Sequence, residues 1–147
     1  MEHYNVGYIA GVFDLFHIGH LNVIKNAKEH CNYLIVGVLV DDLVKFYKTD
    51  PPFIPFEERI EIVNSIKYVD KAVPVSKDNI DKVTAWKLYH FDCLFSGDDY
   101  ANHPGWLADK NNLNQVGSDI QFFPYTKTTC STKIKQLIEA KIESKKG

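Results

Sequence analysis

Residues Tyr33 to Val40 read YLIVGVLV, a near-continuous run of β-branched and aliphatic side chains. A strand with one wet face alternates apolar and polar positions. A run without that alternation is expected where the strand is covered on both sides, as in a parallel sheet. The rest of the chain keeps the same rhythm. Val6–Ala10 is a short β-type run ending at Gly11, and Gly19–His30 sets Leu21, Ile24, Ala27 and Cys31 at helical spacing. Lys71–Val75, Cys93–Phe95 and Ile120–Phe123 read as further strands. Helices are predicted for Phe56–Ile66, with Pro55 at its start where proline is tolerated, for Asn79–Tyr89 and for part of Gly105–Val116. A closing helix is predicted from Ser131 to about Ser144, with Ile134, Leu137, Ile138 and Ile142 on one side. Asp41–Pro55, polar and marked by lysines and prolines, is predicted as a long loop. The alternation predicts an α/β fold, a Rossmann-like parallel sheet with helices on both faces. No linker-like stretch interrupts it, so a single domain over 1–147 is expected. Ligands of such sheets bind beyond the carboxyl ends of the strands, at the switch point.

Composition narrows the function classes. Apolar residues make up 45% and charged residues 24%, which excludes disorder as the main state. Nineteen acidic against seventeen basic residues give a net charge of −2, so nucleic acid is not an expected partner. Only one of those cations, Arg59, is an arginine; an anionic ligand must be met mostly by lysine, histidine and backbone groups. The longest apolar stretch, Leu34–Val40, is far short of the roughly 20 residues of a membrane helix, so no membrane insertion is expected. The first residues lack a basic segment followed by an apolar one, and a cytoplasmic location is expected. Cys31, Cys93 and Cys130 are odd in number and form no CxxC pair, which favours reduced thiols.

The first strand runs into Gly11-Val12-Phe13-Asp14-Leu15-Phe16-His17-Ile18-Gly19-His20. Gly11 suits a close backbone approach, and the helix start offers N–H groups to a phosphate. His17 and His20, three apart, can direct both imidazoles into one pocket. Taken alone, an HxGH pair also reads as a capped helix start with two surface histidines, and a zinc pair lacks a third ligand at suitable spacing.

The whole string GVFDLFHIGH resembles the signature of the HxGH nucleotidyltransferases, in particular their cytidylyltransferase branch. Phe56-Glu57-Glu58-Arg59, Ile66-Lys67-Tyr68-Val69-Asp70, Gly97-Asp98-Asp99-Tyr100 and Cys130-Ser131-Thr132-Lys133-Ile134-Lys135 follow in the family's order. The resemblance runs from about Tyr8 to Leu137, and glycerol-3-phosphate cytidylyltransferases are the most similar type. Two positions depart from that pattern. Tyr125 stands where an arginine is usual, with Lys127 nearby to supply charge, and Lys67 replaces an arginine before Tyr-Val-Asp. Lysine lacks the planar fork of arginine, so the phosphate grip differs there.

The resemblance implies transfer of CMP from CTP to a small phosphorylated alcohol, with Mg²⁺ carried by the triphosphate and a homodimer as the assembly. The acceptor phosphate is already an anion, so the enzyme's task is positioning and charge neutralisation. It further implies roles for residues. Gly11, Val12, Phe13, His17, Gly19, His20, Asp98, Lys127, Ser131 and Thr132 are expected to bind the nucleotide. Asp14, Lys45, Lys48, Arg59, Lys67 and Tyr100 are expected around the acceptor, with His17, His20, Lys48 and Ser131 contributing most to the reaction. Simpler readings stand beside these: a plain helix cap for Ser131 and Thr132, solvated loop charges for Lys45 and Lys48, a structural Asp14, and pairing of Arg59 with Glu57, Glu58 or Glu61. Phe46, Tyr47, Tyr100, His103 and Trp106 could form an aromatic wall suited to a choline- or ethanolamine-like head group. An adenylyltransferase of the same fold and a non-catalytic nucleotide-binding subunit are the rival functions.

Overall fold

A computed structural model of the chain describes residues 3–124 and 131–146, apart from the side chains of Asp99, Ser131, Thr132, Lys145 and Lys146. Five strands make one wholly parallel sheet in the order β3-β2-β1-β4-β5. They are β1 (Tyr4–Gly11), β2 (Cys31–Leu39), β3 (Lys71–Val75), β4 (Cys93–Gly97) and β5 (Asp119–Phe123). The described helices are α1 (Ile18–Glu29), α2 (Asp41–Lys48), α3 (Phe56–Asn64), α4 (Lys82–Tyr89), α5 (Pro104–Asn114) and α6 (Ser131–Lys146), with a 3-10 turn at Asp98–Tyr100. The chain leaves β1 towards β2 and β3, then crosses by α4 to β4 on the other side of β1. The switch point therefore lies between β1 and β4, at the carboxyl end of the central strand.

The apolar run of β2 divides between two cores, as the two-residue period of a strand requires. Leu34, Val36 and Val38 join Ile9, Cys93, Phe95 and Phe123 on one face, under Ile24 and Ala27 of α1 and Val63 of α3. Ile35 joins Tyr8, Val73, Leu94 and Ile120 on the other, under Ala85 of α4 and Leu113 of α5. Cys31 and Cys93 are buried thiols of these cores. Gly37 is the exception within the run: a Cβ there would stand 2.6 Å from Val75 Cγ2 and 2.7 Å from the Tyr8 hydroxyl. The missing side chain makes room for the phenol.

β3 is an edge strand, and its outer backbone is blocked at position 74. Val75 O accepts from Val40 N at 3.0 Å, so the backbone at 75 faces β2 and that at 74 faces away. Position 74 is a proline without an N–H, and its carbonyl accepts from Asn79 Nδ2 at 3.2 Å.

The expected loop Asp41–Pro55 is corrected by the structure: its first half is helix α2. Asp41 and Asp42 lie in the first turn and Lys45 and Lys48 in the last, which matches the helix dipole, and Leu43 and Val44 are buried. The helix stops at Thr49, whose φ is 66°, just before Pro51-Pro52. The closing helix forms as expected, but Leu137, Ile138 and Ile142 are exposed. No described helix is long and apolar enough to cross a membrane.

Candidate active site

The turn between β1 and α1 is unusual in its backbone. Phe13 and Leu15 have φ of 55° and 50°, a left-handed conformation that bulky side chains rarely adopt. Such strain persists only where surrounding bonds over-determine it, and it concentrates at functional turns. Here the Phe13 ring is buried and packs against Phe16 and His20. Gly11 ends β1, and a Cβ on it would stand 3.1 Å from the Phe13 ring.

His17 and His20 build a reciprocal cap on α1. Gly19 N donates to His17 Nδ1 at 3.0 Å, and His17 N donates to His20 Nδ1 at 3.3 Å. The rings stack with centroids 4.0 Å apart. A ring nitrogen that accepts a backbone N–H carries no proton, so each neutral imidazole holds its proton on Nε2. The cap thus fixes the tautomer of both rings and leaves two Nε2–H donors for a ligand. Burial lowers the pKa of both. His20 is pushed down to about 4, the neighbouring His17 and the Lys48 charge adding to burial while Asp14 opposes it. At neutral pH both rings are neutral donors. The Lys48 charge, at the end of α2, is among the groups that act on His20. Lys45 and Lys48 are both exposed.

Two side chains expected around the acceptor, Arg59 and Asp14, are buried and bonded as braces. Arg59 is 1% exposed. It donates through Nε to Ile54 O at 2.8 Å and through its two terminal nitrogens to Val12 O at 2.7 Å and Asp41 Oδ1 at 2.6 Å. None of the three glutamates proposed as partners is used in these bonds; the pairing acid is Asp41, whose other oxygen accepts from Phe56 N at 3.3 Å. Asp14 is 2% exposed and accepts from Phe53 N and Ile54 N, both at 2.9 Å, and from Lys135 Nζ at 2.8 Å. Burial alone would raise the Asp14 pKa, but these bonds outweigh it and hold the carboxyl below its ordinary value. Together Asp14 and Arg59 tie the β1–α1 turn to the loop between α2 and α3.

Lys67 lies apart from these groups. It is exposed just before β3, with its Nζ 5.1 Å from the centroid of the Tyr68 ring. The residues preceding a parallel strand lie at the amino edge of the sheet, opposite His17 and His20, so within one chain Lys67 does not reach them.

Beyond β4, Asp98 is exposed at the start of the 3-10 turn. Tyr100 stacks on Trp106 with centroids 4.7 Å apart and planes 9° apart, and Lys82 Nζ lies 3.8 Å from the Trp106 centroid while pairing with Asp109 at 3.0 Å. Tyr100 is half-exposed there. Lys127 lies outside the described residues, as do Tyr125 and Cys130; Ser131 and Thr132 open α6, their side chains outside the description. Residue spacing did not single out Asp41 or Lys135. The signal for Asp41 was its place at a helix start; Lys135 had none beyond its nearness to the Ser131-Thr132 pair.

Comparison with known proteins places this geometry. Residues 8–137 match the family model described as cytidylyltransferase-like. The chain is 28% identical over 136 residues to the FAD synthase of Thermococcus kodakarensis, covering 92% of this chain and 91% of that protein. It is 29% identical over 128 residues to the glycerol-3-phosphate cytidylyltransferase of Bacillus subtilis, covering 87% and 92%. In fold it is similar to the lipopolysaccharide core biosynthesis protein of Thermoplasma volcanium, at a TM-score of 0.69 and 21% identity over 86% of this chain and 99% of that one. With a match over most of its length, the chain belongs to the cytidylyltransferase-like family of nucleotidyltransferases.

Proposed function

We propose that the enzyme moves CMP from CTP to a small phosphorylated alcohol of the glycerol 3-phosphate kind, giving a CDP-alcohol and pyrophosphate. The acceptor's phosphate oxygen attacks the α-phosphorus as the bond to the bridging α–β oxygen breaks, and pyrophosphate leaves with that electron pair. No covalent enzyme intermediate and no general base are needed, because the nucleophile is already charged.

The observation that carries this reading is the reciprocal histidine cap. Two tautomer-fixed Nε2–H donors at a helix N-terminus, at the switch point of the sheet, suit charge building on phosphate oxygens. In this reading Gly11, Val12, Phe13, Gly19 and Asp98 border the nucleotide, while Ser131, Thr132 and Lys127 meet its phosphates. Lys45 and Lys48 meet the acceptor phosphate, and Tyr100 lines the acceptor's far end. Mg²⁺ enters with the triphosphate as part of the substrate. That suits a turn whose acidic residue, Asp14, already holds two amides and an ammonium. The reaction belongs in a soluble compartment such as the cytoplasm, with the protein acting as a homodimer.

A second reading is adenylyl transfer from ATP to a flavin-bearing phosphate. It is favoured by the similarity to an FAD synthase along 92% of the chain and by the half-exposed Tyr100, a flat surface on which a ring system can stack. Pyrophosphate release decides between the two. The first reading expects turnover with CTP and glycerol-, ethanolamine- or choline-phosphate; higher turnover with ATP and flavin mononucleotide would replace it.

A further inference from the structure

Helix α6 meets the rest of the protein through its first turns. Ile134 and Lys135 are partly buried, whereas Leu137, Ile138 and Ile142 beyond them are exposed. Lys135 Nζ lies 2.8 Å from Asp14 Oδ2 and 5.3 Å from the centroid of the Phe53 ring. The same carboxylate accepts from Phe53 N and Ile54 N, and it is almost wholly buried. One acid in the β1–α1 turn therefore gathers the loop between α2 and α3 on one side and α6 on the other. A carboxylate so enclosed is poorly solvated, so loss of the lysine leaves a buried charge without its cation, which makes the lysine's place in the bond set hard to vacate. Ser131 and Thr132 stand one helical turn before Lys135.

We propose that Lys135 is a positioning residue for the transfer reaction. Through its bond to Asp14 it holds the start of α6 against the β1–α1 turn, so that Ser131 and Thr132 are presented to the triphosphate bound at His17 and His20. The proposal rests on the nucleotidyl-transfer reading above. Because the lysine touches Asp14 and Phe53, its effect on the phosphates passes through the position of the helix. The work it does is binding rather than chemistry: a helix start that contacts the triphosphate equally before and during transfer changes KM and leaves kcat in place.

The experiment compares the wild-type chain with Lys135→Met, which keeps the apolar stem over Phe53, and Lys135→Arg, which keeps the charge. Hydrogen exchange is followed in peptides covering 50–56 and 131–140, with and without saturating CTP or ATP. Steady-state kinetics use the same nucleotides and the acceptor panel above. Lys135→Met is expected to exchange about tenfold faster in both peptides and to lose nucleotide-dependent protection of 131–140. Its KM for the triphosphate rises about tenfold with kcat within about threefold and the acceptor KM unchanged. Lys135→Arg returns both measures to near the wild type. Wild-type exchange and KM in the methionine variant would overturn the proposal. So would faster exchange in every peptide with a lowered melting temperature, which marks general loosening, or an arginine variant that rescues nothing. If the wild type turns over neither nucleotide, the transfer reading fails separately, and exchange alone then retains or overturns the anchoring of α6.

Discussion

Arg59→Met is the perturbation that most directly tests the brace beneath the site. Methionine fills most of the volume but donates no hydrogen bond. Two buried carbonyls, Val12 O and Ile54 O, lose donors at 2.7 and 2.8 Å. Each such loss costs about 1–3 kcal/mol, because the group stays buried and unpaired. The bond to Asp41 adds less, about 1 kcal/mol or below, since that side chain is 41% exposed and water can take over its charge. The whole comes to about 2–7 kcal/mol, a large share of the roughly 5–15 kcal/mol by which a domain is stable. For 147 residues the unfolding entropy is about 0.3 kcal/mol/K, so the melting temperature should fall by roughly 7–20 °C. The assay is thermal and urea denaturation without any ligand, with Arg59→Lys as the companion variant. Lysine keeps the charge but presents one head to three acceptors, so it recovers only part of the loss. A melting temperature within about 3 °C of wild type, together with a raised KM for acceptor, would refute the brace and restore a phosphate-binding arginine.

Other outcomes follow from the same geometry. His17→Asn retains a good capping acceptor but no Nε2–H donor; its melt should match wild type within about 0.5 kcal/mol while turnover drops roughly 10²–10³-fold, whereas His17→Ala should also lose about 1 kcal/mol of stability. Equal melts for the two variants would argue against the cap. Burial holds the His20 pKa near 4, below its unfolded value of 6.5, so the unfolded chain binds the extra proton first. Stability is therefore full above pH 6.5 and declines as pH falls towards 4, a trend that His20→Gln should weaken; urea midpoints across that range check it. Gly37→Ala forces a methyl against Val75 and the Tyr8 hydroxyl and should cost about 1–3 kcal/mol, partly relieved by Tyr8→Phe in the double variant.

Strand positions and the buried face of α1 follow from patterns local to each segment, which is why the β-branched run at Tyr33–Val40 and the helical spacing from Leu21 to Ala27 placed β2 and α1 correctly, whereas the order of the strands is set by contacts between segments. α2 was masked because its lysines and the following prolines read as a loop, although Asp41-Asp42 ahead of Leu43-Val44 already had the charge order of a helix start. The histidine pair was legible from spacing, but its capping geometry was not, since an imidazole standing in for a serine or aspartate cap has no strong sequence signature. A structural Asp14 and a paired Arg59 stood among the simpler readings, but their partners could not be named: Phe53 N, Ile54 N and Val12 O are backbone groups 39 to 47 residues away, which leave no trace in side-chain pattern. Lys67 shows a different limit. Its family position suggested a phosphate, while the direction of β3 placed it at the far edge.

The proline at 74 has a consequence for how copies of this chain meet. A strand approaching β3 from outside meets two outward-facing positions, 72 and 74; at 74 it finds neither donor nor acceptor, the first absent and the second already taken by Asn79. Growth of the sheet from molecule to molecule is thereby interrupted at this border, where runaway β-polymerisation would otherwise have a template. Crowded solutions of the folded protein should resist fibre formation through β3, since a ladder along it is broken at position 74.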